Sequence, residues 1–185
     1  FVAVKNRLLH SEKWKTFHDF LFAYIKDAMG PEWGTQELSK PIEHRHPILV
    51  WYQRLCEMQA AHIKEPGKVS SMPATGATTS YLRLSYDLYS LDHNAQLQQK
   101  LINRLRDTNN FPGARYEVFV AATLVRAGFT IEFENEDDRN TTHCEFTARC
   151  SATGRLFSIE AKHRAGNKFR LGRQLNRALR KQAKY

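Results

Sequence analysis

The sequence predicts an α/β protein in two parts, an α-helical region over residues 1–107 followed by a smaller α/β core over 108–185. Three observations carry that expectation. Apolar residues recur at helical spacing through the first hundred residues. After Pro112 one more helical stretch gives way to short segments that alternate apolar and polar, as strands do. The excess positive charge gathers at the C-terminal end.

Each element has a local reason. In SEKWKTFHDFLFAYIKDAMG, residues 11–30, Trp14, Phe17, Leu21, Tyr24 and Ile25 form an apolar stripe, with Ser11 as candidate N-cap and Gly30 as stop. HPILVWYQRLCEMQAAHIK, 46–64, reads as a second helix with Pro47 in its first turn. Residues 65–80, rich in Gly, Pro, Ser and Thr, read as a loop. Two further helices, 81–94 and 95–107, meet near Asn94, and DTNNFPG, 107–113, reads as a linker. ARYEVFVAATLVRAG, 114–128, is an amphipathic helix stopped at Gly128. FTIEF, 129–133, alternates as a strand, and ENEDDRNTT is a polar connection. HCEFTARC, 143–150, and RLFSIEAK, 155–162, are two strands around the turn SATG, 151–154. NKFRLGRQLNRALRKQAKY, 167–185, reads as one basic helix with Gly172 its weak point.

A chain of 185 residues with 42% hydrophobic and 25% charged residues has the composition of a globular protein with a substantial core. No apolar run reaches the length of a membrane span, and no N-terminal stretch has the parts of a signal peptide. Phe1 rather than Met opens the chain, as expected of a trimmed fragment. Cys56, Cys144 and Cys150 make no disulfide framework. Six residues apart on one strand, Cys144 and Cys150 are roughly 20 Å apart, too far to bridge. Free buried thiols fit a reducing compartment, so the expected location is cytoplasmic.

The net charge of +9 is local. Residues 161–185 hold 9 of the 28 Lys and Arg and no Asp or Glu, leaving 19 basic and 19 acidic residues before them. Cations without acids cannot form the i,i+4 pairs that support a solvated helix face, so phosphate binding is the better account. The stripe runs through Lys168, Arg170, Arg173, Arg177, Arg180, Lys181 and Lys184. Its apolar side is too modest for a membrane-surface helix, and no membrane partner is expected.

The candidate chemistry lies in the last two strands. Side chains alternate across a strand, so Glu145, Thr147 and Arg149 share a face, as do Leu156, Ser158, Glu160 and Lys162. Two carboxylates and an ammonium therefore converge on the polar side of the hairpin, within reach of Glu117 if the preceding helix packs on the sheet. Neighbouring carboxylates repel, and a divalent cation relieves the repulsion. Mg²⁺ is typically held by one or two carboxylates, waters and substrate phosphate. A nearby lysine orients bound water, helps deprotonate it or stabilises charge on the phosphorus centre.

Residues 111–185 resemble the PD-(D/E)XK, or restriction-endonuclease-like, nuclease superfamily. The resemblance rests on Glu117 in YEVFVAATLVRAGF, Glu145 in HCEF, and Glu160-Ala161-Lys162 in SIEAK. It implies a core of a helix, a mixed sheet and a basic helix. It further implies Glu145, Glu160 and the Ala161 carbonyl as metal ligands, Lys162 as the water-activating residue and Glu117 as a supplementary acid. The implied activity is Mg²⁺-dependent hydrolysis of phosphodiester bonds, with Mn²⁺ as a substitute, by an endonuclease acting on DNA. The basic segment would follow the phosphate backbone, and the N-terminal helices would serve dimerisation or a partner protein. Glu145 stands where the family usually has Asp, and Cys144 where it has Pro; Asp137 and Asp138 are fallback acids. The family core carries a further strand after the basic helix, which this chain, ending at Tyr185, is expected to lack. The rival expectation is a catalytically weak or inactive module that binds nucleic acid or a protein.

Other groups of residues fit blander roles. His143, Cys144, Cys150 and His163 match no zinc spacing. His44 and His46 read as surface-loop residues, and Tyr81, Tyr86 and Tyr89 as helix core rather than base-stacking platforms. GATTS lacks the lysine and flanking glycines of a phosphate loop.

Overall fold

Thr16, not Ser11, starts the first long helix. In the computed structural model, which describes residues 1–4, 7–65, 67–132 and 145–163, α1 spans Phe17–Met29. Its N-terminus is a capping box: Thr16 Oγ1 accepts from the Asp19 amide at 3.2 Å, and Asp19 Oδ2 accepts from the Thr16 amide at 2.7 Å. Two orphan helix donors are thus satisfied reciprocally. Ser11 caps only a turn, its hydroxyl accepting from the Lys13 amide at 3.2 Å and its carbonyl from the Trp14 amide at 3.1 Å.

Gly30 does more than stop α1. At φ +85° it takes a conformation that side-chain-bearing residues resist, and α2, Pro31–Leu38, begins immediately after it. A Cβ on Gly30 would lie 2.8 Å from Arg106 Nη2. That guanidinium needs the space, because it donates to the Met29 carbonyl from Nε at 3.1 Å and from Nη2 at 2.6 Å.

Two short strands precede α1. β1, Val2–Val4, and β2, Arg7–Leu9, pair antiparallel with Val2 opposite Leu9. Val4 is buried with Phe20 and Leu21 of α1, with Val2, Leu9, Trp14 and Tyr89 around them. After α2 a 3-10 turn, Ile42–His44, leads to α3, Pro47–His62. α4 spans Gly76–Ser90, capped by Thr75, so the expected loop ends five residues early. Asn94 caps α5, Ala95–Arg106, its Oδ1 accepting from the Leu97 amide at 3.1 Å. α4 packs against both α1 and α3. Leu88, Leu101 and Leu105 are fully buried, each contributing roughly 1.5–3 kcal/mol over an exposed leucine. Two of the polar groups inside bond to backbone: Ser85 Oγ donates to the Leu21 carbonyl at 2.6 Å, and Gln98 Nε2 to the Leu88 carbonyl at 2.9 Å.

The surface-loop reading of His46 is wrong, because its ring is wholly buried. His46 is the N-cap of α3, Nδ1 accepting from the Ile48 amide at 3.3 Å, and its ring packs edge-on against Trp33 and Phe111. The apolar setting explains the burial, since a neutral imidazole fits where an ion would not. His44 is exposed as expected, whereas Tyr86, expected in the core, is 40% exposed.

The chain divides into two compact units, Phe1–Phe111 and Pro112–Tyr185. α6, Phe111–Arg126, starts three residues before the predicted helix and shortens the linker. It buries Ala114, Val118, Ala121 and Ala122, a stripe at helical spacing. β3, Phe129–Glu132, β4, Phe146–Cys150, and β5, Leu156–Ile159, form an antiparallel sheet in the order β3-β4-β5. Ile131 lies opposite Ala148 and Phe146 opposite Ile159, so one face gathers Ile131, Phe146 and Ala148, all buried. The architecture is mixed α/β. Among the described residues no helix is long and apolar enough to cross a membrane.

Candidate functional site

The register of the last hairpin determines which charges meet. Thr147 pairs with Ser158 and Phe146 with Ile159. The Glu145 amide donates to the Ile159 carbonyl at 3.0 Å, which carries the ladder one residue beyond β4. One step further along the same register, Glu145 falls opposite Glu160. Like charges directly opposite on a sheet repel. The turn holds this register: Gly154 adopts φ +69° and donates its amide to the Cys150 carbonyl at 2.8 Å, and the Cys150 amide donates to the Arg155 carbonyl at 2.8 Å.

Lys162 answers the repulsion. Its Nζ lies 3.0 Å from Glu145 Oε1 and 2.7 Å from Glu160 Oε1. The two carboxylate oxygens therefore lie no further apart than the sum of these distances, 5.7 Å. The carboxylate side chains are mostly buried, 16% and 17% exposed, while the lysine is 50% exposed. Burial pulls the Lys162 pKa down. Hydrogen bonds to Glu160 and Glu145, and the charges of both, outweigh it and hold the pKa above the ordinary lysine value. Lys162 is a cation at neutral pH. Ala161, between the two site residues, is buried at 6% exposure on the apolar side.

The donor set suits a hard cation. Carboxylate oxygens are ligands that Mg²⁺ takes, and water and phosphate oxygens complete such a shell. Glu117 is half-buried in the second turn of α6. Among the described residues no group of three or more His, Cys, Asp or Glu side chains is drawn together. The carboxylates that the structure joins through Lys162 are Glu145 and Glu160. Asp137, Asp138, His143 and Cys144 lie outside the described residues, as do Lys168, Arg170, Arg173, Arg177, Arg180, Lys181 and Lys184.

A cavity in the first unit has no counterpart in the sequence reading. Its walls come from α1, α2, α3 and α4, so no contiguous motif marks it. The one local hint is Gly34, a helix-weakening residue inside α2.

No family model, no curated protein and no solved structure matches the chain.

Proposed function

We propose that the protein is a metal-dependent nuclease with a restriction-endonuclease-like core in its second unit, hydrolysing phosphodiester bonds in DNA. The observation that carries this reading is the Lys162 ammonium set between the Glu145 and Glu160 carboxylates at 3.0 and 2.7 Å on an antiparallel hairpin. The order of a helix with Glu117, three antiparallel strands and a basic C-terminal segment supports it.

Glu145, Glu160 and the Ala161 carbonyl would hold Mg²⁺ or Mn²⁺, with Glu117 as the supplementary acid. When bound, the cation lowers the pKa of an attacking water and neutralises phosphate oxygens. The chain's own contribution is positioning and charge. The strand register sets the Glu145 and Glu160 backbones opposite each other, so both carboxylates leave the same face of the hairpin. Lys162, kept protonated by its raised pKa, cannot take a proton from water and acts as a charged hydrogen-bond donor. Its role is to orient a water or phosphate oxygen and to stabilise the negative charge that develops at phosphorus. Lys168, Arg170, Arg173, Arg177 and Arg180 would neutralise backbone phosphates and make binding steeply salt-dependent. Hydrolysis of DNA rather than RNA is the family's habit, carried over by analogy.

The same trio favours a second reading. Lys162 already compensates both carboxylates, as in a structural ion pair, which suits a nuclease-like module that binds nucleic acid without cutting. Metal separates the two. Supercoiled, linear and single-stranded DNA are incubated with Mg²⁺, Mn²⁺ or EDTA, using the native protein, Lys162→Ala and Glu160→Gln. Cutting that needs metal and disappears in both variants is the expected result. Salt-sensitive binding without cutting selects the module, and cutting by both variants refutes the site.

A further inference from the structure

The first unit carries a cavity of about 210 Å³ between α1, α2, α3 and α4. Its wall is largely apolar, with Ile25, Met29, Ile48 and Leu49 beside the rings of Trp33 and Tyr52. An apolar cavity of about 150 Å³ is enough to take up benzene, so this one has room for a ring and a short chain. Gly34 widens it, since a Cβ there would meet nothing within 4 Å.

Besides Tyr52 and Thr35, whose hydroxyl donates to the Pro31 carbonyl at 2.9 Å, two polar groups break the apolar lining. Tyr81 is 2% exposed and lines the cavity, its ring packed against those of Phe22 and Tyr52. Burial pushes the Tyr81 pKa above the ordinary phenol value, so it stays a neutral donor. The neighbouring Tyr52 hydroxyl is already engaged by Cys56. Lys26 is the second group. It lines the cavity from the exposed end of α1, its Nζ 5.1 Å from the Phe22 ring centroid and 6.0 Å from that of Tyr52. The rings hold the ammonium in place, and no carboxylate pairs with it among the described residues. A place in the last turn suits the helix dipole, but it does not account for a cation set over the rings of an apolar cavity.

We infer that this cavity binds a small aromatic monocarboxylic acid, its ring among Trp33, Ile48 and Leu49 and its carboxylate between the Lys26 ammonium and the Tyr81 hydroxyl. The apolar wall takes the ring, the aromatic rings in the wall favour an aromatic over an aliphatic body, and the cation selects an anion. The site lies wholly within the first unit and is independent of the nuclease reading.

The test uses the full chain and three probes of nearly equal size: 3-phenylpropionate, 3-phenylpropionamide and 3-cyclohexylpropionate. Binding is read by titration calorimetry, with the rise in melting temperature as a second measure. 3-Phenylpropionate is expected to bind saturably, at one site per chain, and at least tenfold more tightly than the other two. Lys26→Gln, an exposed change, is expected to cost the acid about tenfold and the amide nothing. Tyr81→Phe is expected to weaken the acid severalfold. Absence of saturable binding by 3-phenylpropionate overturns the proposal. So does equal affinity for acid and amide, or an acid affinity that Lys26→Gln leaves unchanged.

Discussion

Lys162 and His46 are the residues whose charge states have measurable consequences. Replacing Lys162 by Met removes the cation that bridges Glu145 and Glu160. Because the lysine is half-exposed, the stability cost is small, about 0–1 kcal/mol. If the site is catalytic, DNA cleavage falls by about 10²–10³-fold, as when one stabilising donor is removed from a transition state. Single-turnover cleavage alongside urea unfolding separates the two effects; a loss of activity no larger than the loss of stability argues for a purely structural ion pair. His46 behaves in the opposite sense with pH. Burial holds its pKa below the ordinary value, against the pull of Glu37. The unfolded chain takes up a proton near pH 6.5, where the folded chain does not. Stability is therefore full above that pH and declines as pH drops through the window down to the depressed folded value. The urea midpoint is expected to fall between pH 7.5 and pH 5. His46→Asn, which keeps an N-cap acceptor, is expected to flatten that decline, and an equal decline in the variant would place its origin elsewhere.

At the scale of elements, helix boundaries are set by single residues that the sequence presents ambiguously. Thr16→Ala removes one half of the α1 capping box and is expected to cost about 1 kcal/mol. Gly30→Ala meets both a positive φ and the Arg106 guanidinium, with an expected cost of about 2 kcal/mol or more. Denaturant midpoints at constant slope check both, and a neutral Gly30→Ala would mean that Arg106 relocates freely. Long, strongly periodic helices were legible from spacing alone, as α3 and α5 illustrate. β1, β2 and α2 were not. Three-residue strands are too short to show a period, and Pro31 and Gly34 make a real helix look like a turn. The hairpin of β4 and β5 was legible, because alternation fixes faces and SATG fixes the turn. The meeting of Glu145, Glu160 and Lys162 followed from those two facts. The burial of His46 did not, because it depends on Trp33 and Phe111, distant in sequence.

Across the whole molecule the charge asymmetry is the feature that composition reveals most directly. If the proposed reading holds, binding to DNA weakens steeply with salt, and replacing Arg170, Arg173 and Arg177 by Gln lowers the slope of log K against log salt by about one per residue. A slope that does not change with these substitutions would remove the basic segment from the interface. The four-helix cavity was invisible at this scale too, because it exists only once helices far apart in sequence have packed. The bridge made by Lys162 bears on the order in which the molecule assembles. Small domains whose facing anions are held only by a cation are unfolded until that ion arrives. Here the chain brings its own counter-ion, so the hairpin can close on the ribosome or in a refolding tube without one. Melting in chelator should match melting in buffer, and under the proposed reading a divalent ion would enter a finished scaffold, displacing an ammonium rather than ordering a chain.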